Sequence, residues 1–177
     1  MGGMHAHVIL AAGQGTRMRS RLPKVLHPLL GKPMLLYALE AALALKPERL
    51  VVVVGHGGEK VVEALEGYPV EVAWQKEQLG TAHALLQAEG LLGDFPGPFL
   101  VTQGDTPLLS PRTLEALLRR VREGAGMALL TAELPDPTGY GRILREGEEV
   151  LGNVEEKDAP PEVRAIREVN AGAYAFD

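Results

Sequence analysis

Apolar runs of strand length alternate with segments of helix length along the first two thirds of this chain. The runs at 51–54 and 99–101 are apolar at every position, which is typical of parallel strands covered by helices on both faces. Parallel neighbours need long crossover connections, and the intervening segments have the length and pattern of helices. The pattern predicts a Rossmann-like α/β fold with a mostly parallel central sheet flanked by helices. The predicted strands are 7–11, 49–54, 70–74 and 99–103, and the predicted helices are 33–46, 59–66, 81–92 and 112–123.

The last third of the chain has a different pattern. Strand-like stretches at 127–133, 142–145, 150–156 and 169–176 follow one another without a long helix between them. We therefore expect a mixed strand extension of the sheet. No linker, repeat or low-complexity tract interrupts the sequence, so residues 1–177 are predicted to form one domain. We expect this domain to be truncated at its C-terminal end, because the sequence stops directly after a strand-like run.

Composition excludes several classes of function. The 18 Lys and Arg residues against 23 Asp and Glu give a net charge of −5, which argues against a nucleic-acid partner. Cys is absent, so thiolate zinc sites, iron–sulfur clusters and cysteine nucleophiles are excluded, and a cytoplasmic location is expected. The apolar stretches are too short to cross a membrane, so no membrane partner is expected. The composition leaves open the possibility that the protein binds a small anionic ligand at a local site.

A glycine-rich loop follows the first predicted strand, where open α/β sheets bind their ligands. Gly13 and Gly15 allow the backbone to approach an anion closely and its N–H groups to bind the anion's oxygens. A tight turn that needs Gly for its conformation is the alternative. A Rossmann dinucleotide fingerprint would need a third Gly at Met18, and a P-loop would need Gly-Lys-Ser/Thr. Neither pattern is present, so neither cofactor loop is favoured.

Four basic residues lie within residues 17–24, in a chain of negative net charge. Arg19 and Arg21 are interpreted as solvated surface residues. Arg17 and Lys24 differ from them, because Arg17 follows Gly15-Thr16 and Lys24 follows Leu22-Pro23, so the backbone geometry of these turns sets the direction of each side chain. A nucleoside triphosphate carries about four negative charges, and one Mg²⁺ with these two side chains offsets about four. This balance favours phosphoryl-type chemistry.

Two further motifs lie at the predicted carboxyl ends of later strands. Gln75 could offer a donor and an acceptor to a nucleobase edge, with Gly80 and Thr81 at a helix N-terminus beyond it. A surface Gln75 and a helix-capping Thr81 are equally consistent with the sequence. Asp105, between Gly104 and a proline turn, is placed to hold a hard divalent cation such as Mg²⁺ through oxygen. An Asx turn is the alternative interpretation of Asp105.

Together these segments resemble the signature of the sugar-nucleotide pyrophosphorylases. The pattern is most similar to the N-terminal domain of the bifunctional N-acetylglucosamine-1-phosphate uridylyltransferases. The resemblance covers nearly the whole chain, from about residue 8 to 175. It rests on LAAGQGTRM at 10–18, LPKVLH at 22–27, GKPM at 31–34, QKEQLGTAHA at 75–84, QGDTPL at 103–108, PTGYGRI at 137–143, VEEKDA at 154–159 and EVNAG at 168–172.

This resemblance implies the nucleotide-diphospho-sugar transferase fold and a role for most of the motif residues. Arg17 and Lys24 would be the catalytic cations, and Asp105 would be the Mg²⁺ ligand. The implied nucleotide contacts are Leu10, Ala11, Ala12, Gly13, Gly15, Thr16, Gln75, Gly80 and Thr81. The implied sugar contacts are Gln103, Gly104, Gly141, Glu155 and Asn170.

The sequence also departs from the family pattern. Asn153 stands where the family usually has an aliphatic residue, and Ala171 stands where it usually has Thr or Ser. These two departures bear on the identity of the sugar rather than on the type of reaction. Glu156 and Lys157, next to the implied sugar contact Glu155, are expected to be solvated strand residues.

The reaction implied by the resemblance joins UTP to N-acetylglucosamine 1-phosphate and releases pyrophosphate. In the family, a second metal ligand and an acetyltransferase domain that forms trimers lie downstream of the matching region. We therefore expect this chain to be monomeric and to turn over poorly alone. A pyrophosphorylase for another sugar 1-phosphate and a catalytically weak nucleotide-binding domain are the alternatives.

Overall fold

The computed structural model describes residues 4–12, 22–55, 57–75 and 81–177. Two compact units make up the chain: Met1–Ala128 with Ala175–Asp177, and Leu129–Tyr174. Single 3₁₀ turns lie at Lys24–Leu26 and Glu156–Asp158. The helices and longer strands are, in order, β1 (Ala6–Ala11), β2 (Pro28–Leu29), β3 (Lys32–Pro33), α1 (Met34–Ala44), β4 (Arg49–Val54), α2 (Glu59–Ala64), β5 (Glu71–Trp74), α3 (Thr81–Leu92), β6 (Phe99–Gln103), α4 (Pro111–Arg122), β7 (Met127–Glu133), β8 (Arg142–Glu146), β9 (Glu149–Val154), α5 (Pro161–Arg164) and β10 (Glu168–Phe176).

The sheet of the first unit is parallel, in the order β5–β4–β1–β6. Its register pairs Ala11 with Val54, and Val54 with Trp74. On the other side of β1, Leu10 pairs with Gln103. Because parallel strands run in one direction, the residues that follow β1, β4, β5 and β6 all lie along the same edge of this sheet.

The helices of the first unit bury one face each. In α1 the buried positions are Leu35, Ala38, Leu39 and Ala42, and in α4 they are Leu114, Leu117, Leu118 and Val121. Both sets have the spacing i, i+3, i+4, i+7 that places residues on one stripe of a helix. Every residue of β1 is buried, as expected for a strand inside a covered parallel sheet.

Helix α4 begins with a serine cap followed by a proline. The Ser110 hydroxyl oxygen accepts a hydrogen bond from the Thr113 backbone N–H at 3.2 Å, and Pro111 occupies the first helical position. A Ser N-cap satisfies one of the N–H groups that a helix leaves unpaired, and Pro is tolerated where its missing N–H is not needed.

The second unit is built from antiparallel strands. β8 pairs with β9 through a hairpin and with β10 on its other side, and β7 pairs with β10. The predicted change from parallel units to a mixed extension is therefore confirmed. One prediction here was wrong: the strand predicted at 150–156 ends at Val154, and Glu156 starts a 3₁₀ turn.

A small hairpin of β2 and β3 was not predicted. Pro28 pairs with Pro33 and Leu29 with Lys32, which leaves Leu30 and Gly31 as a two-residue loop. Both loop residues have positive φ, 53° and 81°, as a type I′ turn requires. Leu rarely adopts this conformation, so the turn has no recognisable sequence signal. Pro33, predicted as the first residue of a helix, lies in β3 instead.

Among the described residues, no helix has both the length and the apolar character needed to cross a membrane.

His7, in the middle of β1, makes stability depend on pH. Its side chain is fully buried, and Nε2 lies 2.8 Å from the Thr102 hydroxyl. Burial, with a smaller contribution from nearby His5, lowers the pKa of His7 from 6.5 to about 3. The unfolded chain therefore takes up a proton below pH 6.5 that the folded chain takes up only near pH 3, so stability falls as the pH falls through this range.

We predict that the free energy of unfolding decreases by up to about 1.4 kcal/mol per pH unit between about pH 6 and pH 4 because of His7. Urea unfolding of the protein and of His7→Gln, which keeps a polar group near Nε2 but does not titrate, measures the difference. Equal pH dependence in the two proteins would contradict this assignment.

Candidate active site

The carboxyl edge of the first unit's sheet brings together several of the residues expected to bind the nucleotide. Ala12, Gly55 and Gln75 directly follow the paired residues Ala11, Val54 and Trp74. A Cβ on Gly55 would lie 2.9 Å from the Ala12 carbonyl oxygen, so β1 and β4 can end side by side only if residue 55 has no side chain.

Gly104 follows β6 on the same edge. Its N–H donates to the Leu10 carbonyl at 2.9 Å. A Cβ there would lie 3.0 Å from Val25 Cγ1 and 3.2 Å from Leu35 Cδ1. Close packing against the core therefore explains why residue 104 is Gly. Its contact with a sugar stays a prediction.

An ion pair joins the predicted catalytic cation to the predicted metal ligand. Lys24 Nζ lies 2.9 Å from Asp105 Oδ2. Lys24 opens a 3₁₀ turn whose other two residues, Val25 and Leu26, are buried. This burial anchors the turn on the core and leaves the lysine half exposed beside the carboxylate.

The surroundings of Asp105 are suited to binding a cation through its carboxylate. The turn after β6 is closed by Thr106, whose hydroxyl donates to the Gln103 carbonyl at 2.9 Å, while the Asp105 carboxylate faces an ammonium group. Within the described ranges, no three His, Asp or Glu side chains are grouped so that they could hold a metal. One carboxylate suits Mg²⁺ only when phosphates and water complete its coordination.

Gln75 is buried at the end of β5, and a second side chain holds it. Its Nε2 lies 3.0 Å from Nδ1 of His83 on the first turn of α3. The Gln75 backbone N–H donates to the Val54 carbonyl at 2.7 Å. The sequence pattern placed His83 in the same motif but gave no sign of this hydrogen bond.

In the second unit, two of the predicted sugar contacts, Gly141 and Asn170, are bonded to each other. The Asn170 backbone N–H donates to the Gly141 carbonyl at 3.1 Å. The Asn170 side chain donates to the Tyr174 hydroxyl at 2.6 Å and accepts from the Gly172 N–H at 2.8 Å. Gly172 has a φ of +79°, which an L-residue rarely adopts, so the strand can bend back to this side chain.

Asn153 lies beside Gly141 and Glu155, two of the five predicted sugar contacts. A Cβ on Gly141 would overlap the Asn153 amide, and Asn153 Nδ2 donates to Glu155 Oε1 at 3.2 Å. Asn153 is thus more than a departure from the family pattern, because it contacts two of the residues that pattern assigns to the sugar.

The expectation that Glu156 is a solvated strand residue was wrong. One Glu156 oxygen lies 3.3 Å from Nη2 of Arg142, and the other accepts the Gly139 N–H. The Arg142 guanidinium also donates to the carbonyls of Pro137 at 2.7 Å, Arg164 at 3.3 Å and Tyr140. Arg142 is 2% exposed, and this buried network fixes the loop that precedes Gly141.

Several predicted residues lie outside the described part of the chain, namely Gly13, Gly15, Thr16, Arg17 and Gly80. Leu10, Ala11 and Ala12 are buried at the end of β1, α3 begins at Thr81, and Gln103 is the last residue of β6. The ligand contacts of all these residues stay predictions.

An apolar cavity of about 600 Å³ lies elsewhere in the first unit. Leu92, Phe95, Phe99 and Phe176 contribute to its walls, and the rings of Phe99 and Phe176 stack with centroids 5.3 Å apart. None of the predicted site residues in the described part of the chain lines this cavity. Its walls are unlike the polar, charged edge at Lys24 and Asp105.

A family model for the MobA-like NTP transferase domain matches residues 7–161. The chain belongs to the MobA-like NTP transferase family. A nucleotidyltransferase domain, predicted from the motifs, is thereby confirmed.

Within this NTP transferase family, the predicted resemblance is confirmed by curated relatives. The chain is 99% identical to "Bifunctional protein GlmU" of Thermus thermophilus, over 98% of the chain and 38% of that protein. It is 55% identical to the protein of the same name from Syntrophotalea carbinolica, over 97% of the chain and 37% of that protein. The chain thus spans less than two fifths of the length of these relatives.

A solved structure supports the predicted fold. The inositol-1-phosphate CTP transferase from T. maritima superposes with a TM-score of 0.79 at 22% identity, covering 99% of this chain and 71% of that one. This likeness confirms the nucleotidyltransferase fold class of the NTP transferase domain, with a parallel sheet flanked by helices.

We predict that Arg142→Met lowers the free energy of unfolding by about 3 kcal/mol, because it leaves a partly buried carboxylate and several carbonyls without their donor. Urea unfolding measures this change. The matched control is Arg145→Met in the same strand, which breaks a more exposed pair with Glu168 and should cost less than about 1 kcal/mol. Equal losses in the two variants would contradict a supporting role for Arg142.

Proposed function

We propose that the chain is the uridylyl-transferring part of a sugar-nucleotide pyrophosphorylase, which forms UDP-N-acetylglucosamine from UTP and N-acetylglucosamine 1-phosphate. The observation that carries this proposal is the ion pair of Lys24 and Asp105 at the carboxyl edge of the parallel sheet. An ammonium and a carboxylate side by side supply one group for phosphate oxygens and one for the cation that accompanies them. The high identity to the GlmU proteins supports the choice of substrates.

In the proposed reaction, a phosphate oxygen of the sugar phosphate attacks the α-phosphorus of UTP in line. A bond forms between this oxygen and the α-phosphorus, and the bond from the α-phosphorus to the bridging oxygen breaks. Pyrophosphate leaves with the electron pair of that bond. No residue of the protein becomes covalently attached, so the protein contributes by positioning the reactants and by offsetting charge.

Lys24 and Arg17 would offset the charge that develops on the departing pyrophosphate. Asp105 is the described residue that would hold Mg²⁺, since its carboxylate already faces one cation in this structure. Bound there, Mg²⁺ would neutralise phosphate charge and help to orient the triphosphate. The Lys24 ammonium would exchange its carboxylate partner for phosphate oxygens when the nucleotide binds.

The sugar would be recognised by the second unit. Glu155 and Asn170 would offer the polar groups that sugar hydroxyls and an acetamido group require, and the Asn153 amide packs against Gly141 beside them. The buried Arg142 network supports this set, because it holds the loop before Gly141 in one conformation.

A pyrophosphorylase for another sugar 1-phosphate is the second candidate. Asn153 favours it, since this residue departs from the family pattern and hydrogen-bonds Glu155. Comparing N-acetylglucosamine 1-phosphate with glucose 1-phosphate as substrate separates the two candidates. A higher kcat/KM for glucose 1-phosphate would favour the second.

We predict that UTP, N-acetylglucosamine 1-phosphate and Mg²⁺ yield UDP-N-acetylglucosamine and pyrophosphate when incubated with this chain. A chain extended by the downstream residues of the Thermus thermophilus relative should be faster by roughly tenfold or more, because more groups would then hold the reactants in place. Chromatography of the sugar nucleotide measures both rates. No product from either chain, with no shift in Tm on adding UTP, would overturn the proposal.

We predict that Asp105→Asn lowers the Mg²⁺-dependent rate by roughly two orders of magnitude or more, since charge stabilisation at the phosphates is lost. The fold should stay intact, because the pair with Lys24 is partly exposed and such pairs contribute about 0–1 kcal/mol. Circular dichroism and the same rate assay measure the two effects. Asp94→Asn, the same change at an exposed site, is the control, and full activity of Asp105→Asn would remove Asp105 from the mechanism.

A further inference from the structure

The loop that carries Lys24 is closed by a side chain from its far end. His27 Nε2 lies 3.2 Å from the Leu22 carbonyl oxygen, within hydrogen-bonding distance. A backbone carbonyl accepts hydrogen bonds and cannot donate them, so the imidazole is the donor and Nε2 carries a proton. This bond links residues 22 and 27, and Lys24 lies between them.

Backbone hydrogen bonds hold the residues inside this loop. The Leu26 N–H donates to the Pro23 carbonyl at 3.0 Å, and the His27 N–H donates to the Lys24 carbonyl at 3.1 Å. The His27 carbonyl accepts from the N–H of Met34, the first residue of α1, at 3.0 Å. The end of the loop is thus anchored on a helix, and the imidazole bond ties the start of the loop to this anchored end.

Packing places the closed loop against the turn that carries Asp105. Val25 is buried, and a Cβ on Gly104 would lie 3.0 Å from Val25 Cγ1. Lys24 and Asp105 are the sequence neighbours of these two packed residues, and their side chains meet at 2.9 Å. The conformation of the loop therefore determines where the Lys24 ammonium can reach.

The support of the loop matters most once a nucleotide is bound. In the proposed function the Lys24 ammonium leaves Asp105 for phosphate oxygens, so the ion pair no longer holds it. A lysine side chain is long and flexible, and ordering it costs conformational entropy. A fixed backbone limits the positions that the ammonium can adopt, which leaves less freedom to lose on binding.

We propose that His27 is a positioning residue for Lys24. Its hydrogen bond to the Leu22 carbonyl holds the loop in the conformation that presents the Lys24 ammonium to the β- and γ-phosphates of the nucleotide. This inference rests on the proposed function, in which Lys24 offsets charge on the triphosphate. His27 acts through the loop and need not touch the nucleotide.

The test compares the binding of UTP and UMP, both with Mg²⁺, to the 177-residue chain and its variants by isothermal titration calorimetry. UMP has no β- and γ-phosphates, so Lys24 should contribute to the binding of UTP and much less to that of UMP. The readout is the ratio of the two dissociation constants. A loss of folded protein lowers the number of binding sites for both nucleotides, so this ratio isolates the effect on the phosphates.

In His27→Leu, which removes the donor, UTP binding should weaken by roughly tenfold, or about 1.4 kcal/mol, and UMP binding should change less than about twofold. His27→Gln can place an amide N–H near the position of Nε2, so it should keep most of the UTP affinity. In a Lys24→Met background no ammonium is left to position, and His27→Leu should weaken UTP no further. His27→Met replaces His27→Leu if the latter does not fold.

Tyr37→Phe is the matched control. The Tyr37 hydroxyl donates to the Leu29 carbonyl at 2.7 Å, in the hairpin that follows the loop. This variant therefore also removes a side-chain donor from a backbone carbonyl close to the loop. It should leave the ratio of UTP to UMP binding unchanged, because this bond does not enclose Lys24.

The outcomes separate the inference from the proposed function. If the unaltered chain does not bind UTP, or Lys24→Met binds it as tightly, the role that the proposed function gives Lys24 fails and that of His27 fails with it. If Lys24→Met weakens UTP but neither His27→Leu nor His27→Met does so, the role of His27 is overturned while the proposed function stands.

Four further results would contradict the role of His27 alone. These are equal weakening of UTP and UMP in His27→Leu, further weakening of UTP by His27→Leu in the Lys24→Met background, an equal change of the ratio in Tyr37→Phe, and no recovery of UTP affinity in His27→Gln.

Discussion

The parallel register of β1 with β4 and β6 is the constraint on which the candidate nucleotide site depends. Pairing Ala11 with Val54 and Leu10 with Gln103 makes these strands end within about one residue of one another. Ala12, Gly55 and Gly104 then follow at one edge, and two close approaches there leave little or no space for a Cβ at 55 and 104. A shift of register would separate these residues and would break the approach between Gly104 and Leu10.

In the proposed function, the charges at this edge would be exchanged when the nucleotide binds. Lys24 and Asp105 neutralise each other across a partly exposed contact, and such a contact is easily replaced because its net stabilisation is small. A triphosphate with its cation offers each partner a stronger charge of the opposite sign. By contrast, the Arg142 and Glu156 pair in the second unit includes a guanidinium that is 2% exposed and bonded to several carbonyls, which suits a permanent support.

Much of the fold could be predicted because its signals are local. The valines of β4 and the capped start of α4 at Ser110 are patterns that a short stretch of sequence carries by itself. The hairpin turn at Leu30 and Gly31 was missed since Leu is an unusual residue at positive φ. The strand predicted through Glu156 was too long, because Glu156 is held by Arg142 and Gly139 rather than by a neighbouring strand.

The candidate site was predicted as a set of residues but not as a set of contacts. Lys24 and Asp105 are far apart in the sequence, and only the packed sheet shows that they pair. Similarly, the bond of Gln75 to His83 depends on how α3 returns along β5. Such partners follow from tertiary packing, which motif spacing does not contain.

The central claim is that the carboxyl edge of the first unit's sheet binds the nucleotide, and NMR of the ¹⁵N-labelled chain tests it most directly. Titration with UTP and Mg²⁺ should shift the backbone amides of Ala12, Lys24, Gly55, Gln75 and Asp105 most strongly. Shifts confined to the apolar cavity around Leu92, Phe95 and Phe176, or no shifts at saturating nucleotide, would contradict the claim.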